Sequence, residues 1–132
     1  MVRKVYIIDD DDISIYLTTL VLEQAEFASE ICMYTSADDA LADLPLSHSA
    51  PLPDIILLDL NMPHKSGWDF LDILRPYEET LKGRTDVFIL TSSIAVSDQE
   101  QSREYPLVRG FLHKPIDEEG LAFIMHTRKG GA

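Results

Sequence analysis

Four short segments hold side chains able to act on a charged substrate. Asp9-Asp10-Asp11-Asp12 follows the apolar run at 5–8. Asp59 follows the apolar run at 55–58, with Asn61 two residues further on. Thr91-Ser92-Ser93 follows the run at 87–90, and His113-Lys114-Pro115 closes a run that begins at 107. In each case the polar group stands where a short apolar stretch stops.

If these segments meet, three carboxylates (Asp9, Asp10 and Asp59) share one site with the hydroxyl of Thr91 and the ammonium of Lys114. Two unit charges ~4 Å apart repel by roughly 4 kcal/mol at an effective dielectric of ~20. One lysine offsets only part of that repulsion, so a divalent cation is expected. All-oxygen ligands suit Mg²⁺, or Mn²⁺, better than Zn²⁺, which prefers nitrogen and sulfur. A carboxylate beside such a cation can serve as a nucleophile and form an aspartyl phosphate. Cation, lysine and hydroxyl would then share the phosphoryl oxygens and stabilise the charge in transfer. Asp11 and Asp12 have a separate explanation, because acids are favoured at the start of the helix that follows.

The elements that must position these groups alternate. The sequence predicts strands at 5–8, 29–35, 54–60, 86–93 and 107–113. Between them Ile13, Tyr16, Leu17, Leu20 and Val21 recur at helical spacing and predict an amphipathic helix to about Ala25. Ser36 caps a short helix at 37–44, and 46–53 is a loop. A helix after Gly67 ends near Arg75, since Pro76 disfavours helix in the residue before it. The stretch 77–85 reads as a helical turn and then a loop. Ser97 and Glu100 suggest a capping box for a helix to Tyr105. Asp117 caps a last helix to about Arg128, followed by a frayed tail. Five strand–helix repeats with short connections imply an α/β fold: a doubly wound, five-stranded parallel sheet with helices on both faces. Such sheets place their ligand site beyond the carboxyl ends of the strands, where all four polar segments fall.

Length and composition narrow the class. The chain has 132 residues, enough for one domain over 1–132 with a core of about 4–128. A net charge of −12 argues against nucleic acid or anionic lipid as partner and favours cations or a basic protein surface. A single cysteine, Cys32, excludes an internal disulfide and reads as a buried thiol. No stretch reaches the roughly 20 apolar residues of a membrane helix. The expected location is cytoplasmic.

With these residues in view, the sequence resembles the receiver domain of two-component response regulators. The resemblance rests on VYIIDDDD, PDIILLDLNMPHKSGWDFL, VFILTSS and VRGFLHKPI, and it runs from Val5 to the last helix. It implies the flavodoxin-like strand order 2-1-3-4-5. It also implies that Asp59 accepts the phosphoryl group, that Asp9 and Asp10 bind Mg²⁺, and that the Asn61 backbone carbonyl completes the metal site. Thr91 would be the switch hydroxyl, Lys114 the phosphoryl-binding lysine and Phe111 the aromatic that turns inward. Ser92, Ser93 and Pro115 would support them, with the Lys114–Pro115 bond cis. The implied donor is a sensor histidine kinase or a histidine phosphotransfer protein. The implied output face combines the fourth helix (97–105), strand five and the last helix, and acts on a downstream protein target. Asn61 and Ser93 are expected to flank the path of a hydrolytic water and so tune the lifetime of the phosphorylated state.

Some positions depart from the family pattern. His64-Lys65-Ser66 precedes Gly67 where an acid is common, and Gly120 sits early in the last helix. After Lys114 only 18 residues remain, so the chain resembles a stand-alone receiver or a domain cut from a larger protein. Self-phosphorylation and self-dephosphorylation are expected, not enzymatic turnover. Two other functions fit part of the pattern. A haloacid-dehalogenase-type phosphohydrolase would use Asp9 as nucleophile, and a receiver-like adaptor would work without phosphorylation.

Overall fold

Residues 55–58 carry only apolar side chains, and a strand of that kind has to be covered on both faces. In the computed structural model, which describes residues 2–46 and 51–130, this segment is β3 (Ile55–Leu58), with all four residues buried. It is the middle strand of a five-stranded sheet of order β2-β1-β3-β4-β5, parallel throughout. The others are β1 (Val2–Ile8), β2 (Ala28–Tyr34), β4 (Asp86–Thr91) and β5 (Val108–His113). Ile8 pairs with Leu58, Leu58 with Ile89, and Thr91 with His113. That register brings the carboxyl ends of β1, β3, β4 and β5 to one rim.

Alternation along the strands builds two cores. Val5, Ile7, Ile55, Leu57, Phe88 and Leu90 face α1 (Asp12–Gln24) and α6 (Glu118–Gly130), packing with Ile15, Leu22, Leu121 and Ile124. Tyr6, Ile8, Ile56 and Leu58 face the other side, against α2 (Ala37–Asp43) and α3 (Gly67–Leu74). Each fully buried Leu, Ile or Phe contributes about 1.5–3 kcal/mol, so the rim rests on a rigid double layer.

The elements match the sequence reading in kind and order, with differences at their edges. β1 begins at Val2, because Asp54 accepts from the backbone N–H groups of both Arg3 (2.6 Å) and Lys4 (3.3 Å) and holds the strand's start. α3 gives way to a 3₁₀ turn, Arg75–Tyr77, with Pro76 where its missing N–H costs nothing, and then to the one-turn α4 (Glu78–Leu81). The expected Ser97–Glu100 capping box does not form. α5 (Val96–Ser102) starts two residues earlier than a Ser97 cap requires, with Ala95 as its N-cap, so Ser97 lies inside the helix. That helix also stops short of Tyr105. Ser36 and Asp117 do accept the expected first-turn bonds, from Asp39 N–H and Gly120 N–H. Cys32 is half-buried on the edge strand rather than buried. The middle of the expected loop 46–53 and the last two residues of the tail lie outside the described residues.

The largest correction concerns α1. Its inward residues are Ile15, Thr18 and Leu22. Most of the stripe that reveals the helix in the sequence faces solvent instead: Ile13 is 71% exposed and Tyr16 65%, and Leu17 and Leu20 are also exposed, while Val21 alone of the five packs against the core. Apolar residues stand on opposite sides of the helix, with Ile15 and Leu22 inward and Ile13, Tyr16, Leu17 and Leu20 outward, so its periodicity marks a helix without marking the buried side.

Candidate metal and phosphoryl site

Parallel register brings the predicted groups together. Asp9 stands one residue past β1 and is 2% exposed, Asp59 stands one residue past β3 at 6%, and Asp10 is exposed beside them. One carboxylate oxygen from each of the three lies within 4.8 Å of the others. Lys114, just past β5, reaches across with its Nζ 2.7 Å from Asp9 Oδ2 and 3.6 Å from Asp59 Oδ1. Lysine and first acid are therefore the tight pair, and Asp59 is held more loosely.

Local contacts hold the loops around the site. The segment after β3 turns back so closely that a Cβ on Gly67 would lie 2.7 Å from the Asp59 backbone oxygen. Only glycine fits there. His64 takes a positive φ of 68° in the same loop, and Lys65 pairs with Asp38 of α2 at 3.0 Å. Ser66 and Asp69 then form a reciprocal capping box that starts α3. On the β1 side, Asp11 caps α1 by accepting from Ile13 and Ser14 N–H.

Burial and charge set the character of Asp59. Burial, reinforced by the nearby negative Asp9 and Asp10, lifts its carboxyl from the usual 3.8 to about 6, while Lys114 and the Asn61 backbone N–H pull the other way. A site that penalises its own middle carboxylate in this way has room for positive charge. Two buried acids, one exposed acid and oxygen-only donors fit Mg²⁺ or Mn²⁺, which keep several waters and take few carboxylates.

The remaining predicted residues divide. Thr91 is buried at the end of β4, its hydroxyl engaged with Ser93, whose N–H and carbonyl both lie 3.3 Å away. Asn61, Ser92, Ser93 and Pro115 are exposed around the rim, and the Lys114–Pro115 peptide is cis. Phe111 is half-buried on β5 and lies outside both packed clusters. His113 is exposed.

One participant is silent in the sequence. Ser14, in the first turn of α1, donates its hydroxyl to Asp9 Oδ2 at 2.7 Å, and the Asp11 N–H donates to Asp9 Oδ1 at 3.0 Å. Ser14 is hidden among apolar helix residues. Only its place five residues after a strand-end acid could have drawn notice.

A five-stranded 2-1-3-4-5 sheet with three acids and a lysine at its carboxyl rim defines a receiver-type α/β domain. The family model for the response regulator receiver domain matches residues 5–125, and the chain belongs to that family. It is 34% identical over 130 residues to the nitrate/nitrite response regulator protein NarL of Escherichia coli K12, covering 96% of this chain and 55% of that protein. It is 33% identical over 100 residues to hybrid signal transduction histidine kinase D of Dictyostelium discoideum, covering 74% of this chain and 6% of that protein. The chain thus spans about half, or far less, of the length of these relatives. Among solved structures, a two component response regulator from Cytophaga hutchinsonii superposes with a TM-score of 0.89 at 28% identity, covering 98% of each chain. Among the described residues no helix is long and apolar enough to cross a membrane.

Proposed function

We propose that this chain takes a phosphoryl group from a phosphohistidine onto Asp59, and that the change is read by a protein partner. The observation that carries the reading is the meeting of Asp9, Asp10 and Asp59 within 4.8 Å, with Lys114 reaching two of them. Asp9, Asp10 and Asp59, with the backbone carbonyl of Asn61, would hold Mg²⁺ or Mn²⁺. When bound, the cation supplies charge neutralisation for the three acids and for the incoming phosphoryl oxygens. Asp59, ionised, attacks phosphorus as the bond from phosphorus to the imidazole nitrogen breaks. Lys114 moves from Asp9 onto a phosphoryl oxygen, and the Thr91 hydroxyl leaves Ser93 for another. The resulting pair of conformations is the switch.

Asp59 is a better nucleophile than Asp9, the acid a phosphohydrolase would use. Both Asp9 oxygens already accept hydrogen bonds, from Asp11 N–H, Ser14 and Lys114. The donor, a sensor histidine kinase or histidine phosphotransfer protein, has a surface to rest on. The solvent-facing stripe Ile13, Tyr16, Leu17 and Leu20 runs from the rim of the site, beside a cleft of about 230 Å³ whose walls include Leu17, Lys114 and Pro115. The output face is α5, β5 and α6. None of the α5 side chains is buried, so that helix can shift at little cost in packing. The setting is the cytoplasm.

The test is incubation with Mg²⁺ and acetyl phosphate, or with beryllofluoride. With acetyl phosphate, wild type gains one hydroxylamine-labile phosphoryl group; with beryllofluoride it binds one fluoride adduct on the same carboxylate; Asp59→Asn gains neither. Equal labelling of the two proteins refutes the assignment.

A further inference from the structure

Asp9 is almost fully buried, and an ionised carboxylate can only accept hydrogen bonds. Its Oδ2 has two donors, Lys114 Nζ and Ser14 Oγ, each at 2.7 Å. The first must leave if Lys114 is to bind a phosphoryl oxygen, and a buried carboxylate oxygen stripped of its donor costs free energy. The second does not leave. Ser14 sits on α1, whose start is fixed by the Asp11 cap and whose body is packed on the sheet through Ile15 and Leu22. Its hydroxyl has one proton, and that proton is spent on Asp9.

We propose that Ser14 is a positioning residue, holding the Asp9 carboxylate in its metal-facing orientation while Lys114 transfers to the phosphoryl group. The inference rests on the metal site proposed above and adds a residue to it. Without Ser14, Lys114 would be the only side chain steadying Asp9. Asp9 would then be a poorer ligand, and Lys114 would be harder to release. Hydroxyls and carbonyls that orient metal ligands commonly matter by 10–100-fold in affinity.

The experiment is titration of the metal-free protein with MgCl₂ by calorimetry, for wild type, Ser14→Ala, Ser14→Thr and Asp59→Asn, with urea unfolding of each in EDTA. Ser14→Ala is expected to weaken Mg²⁺ binding by about 10-fold. Ser14→Thr, which keeps the hydroxyl, is expected to bind like wild type. If Ser14→Ala binds Mg²⁺ as tightly as wild type, the proposal is overturned, even if the variant unfolds at lower urea, because the serine then serves only the fold. A different result marks failure of the underlying reading: wild type binding no Mg²⁺, or Asp59→Asn binding it with undiminished affinity.

Discussion

Replacing Asp59 with asparagine removes the charge that the fold tolerates least. The Asp59 carboxyl is lifted from 3.8 to about 6, mainly by burial. Between those values the folded protein binds the proton and the unfolded chain does not. The stability this contributes is therefore complete below pH 3.8 and is lost as pH rises through about 6. The separation of about two pH units is worth about 3 kcal/mol at neutral pH, an upper figure. Asparagine keeps the shape without the charge, and it leaves Lys114 with its nearer partner Asp9 at 2.7 Å. In EDTA at pH 7.5, Asp59→Asn is expected to be more stable than wild type by about 1–3 kcal/mol, measured from urea midpoints. From the same linkage the gain falls to about half at pH 5 and nearly vanishes by pH 4. Mg²⁺ at the proposed site of the folded wild type is expected to narrow the gap at pH 7.5 by mass action. The reasoning is refuted if Asp59→Asn is less stable than wild type in EDTA, or if the gain is the same at pH 7.5 and pH 5.

Three further outcomes are expected. Gly67→Ala brings a methyl group to 2.7 Å from the Asp59 carbonyl and 3.0 Å from Leu60 Cα. It costs about 1–3 kcal/mol in urea unfolding and slows labelling by acetyl phosphate. The double change Ile13→Glu and Leu17→Glu alters only exposed positions of α1. It slows transfer from a phosphohistidine protein by roughly tenfold, a loss of about 1.4 kcal/mol, and leaves the acetyl phosphate rate unchanged. An equal fall in both rates would mean the stripe is not the docking surface. Substituting the exposed rim residues Asn61 or Ser93 changes the half-life of the phosphorylated protein, timed after the donor is removed. An unaltered half-life counts against their place on the path of water.

Much of the site could be read from the chain alone. Acids, hydroxyl and lysine at the ends of apolar runs, combined with a parallel sheet, must converge on one rim, because register aligns the strand ends. The caps at Ser36 and Asp117 follow from local backbone chemistry, whereas the need for glycine at 67 comes from the close approach of the Asp59 carbonyl. Other features were settled only by three-dimensional packing. The buried side of α1 is Ile15, Thr18 and Leu22 and not the more apolar Ile13–Tyr16–Leu17–Leu20 stripe. A helix with apolar residues on two opposite sides can pack by either, and the shape of the sheet decides which. The capping box at Ser97 was lost because α5 began two residues earlier. The partners of Asp9 depend on the angle at which α1 leaves the end of β1. That angle brings the Ser14 hydroxyl and the Lys114 ammonium to the same carboxylate oxygen, and leaves Asp59 with the longer, weaker pairing. Residue order fixes which groups reach the rim, but hydrogen bonds of 2.7 Å depend on the relative placement of whole elements, which only the packed core determines.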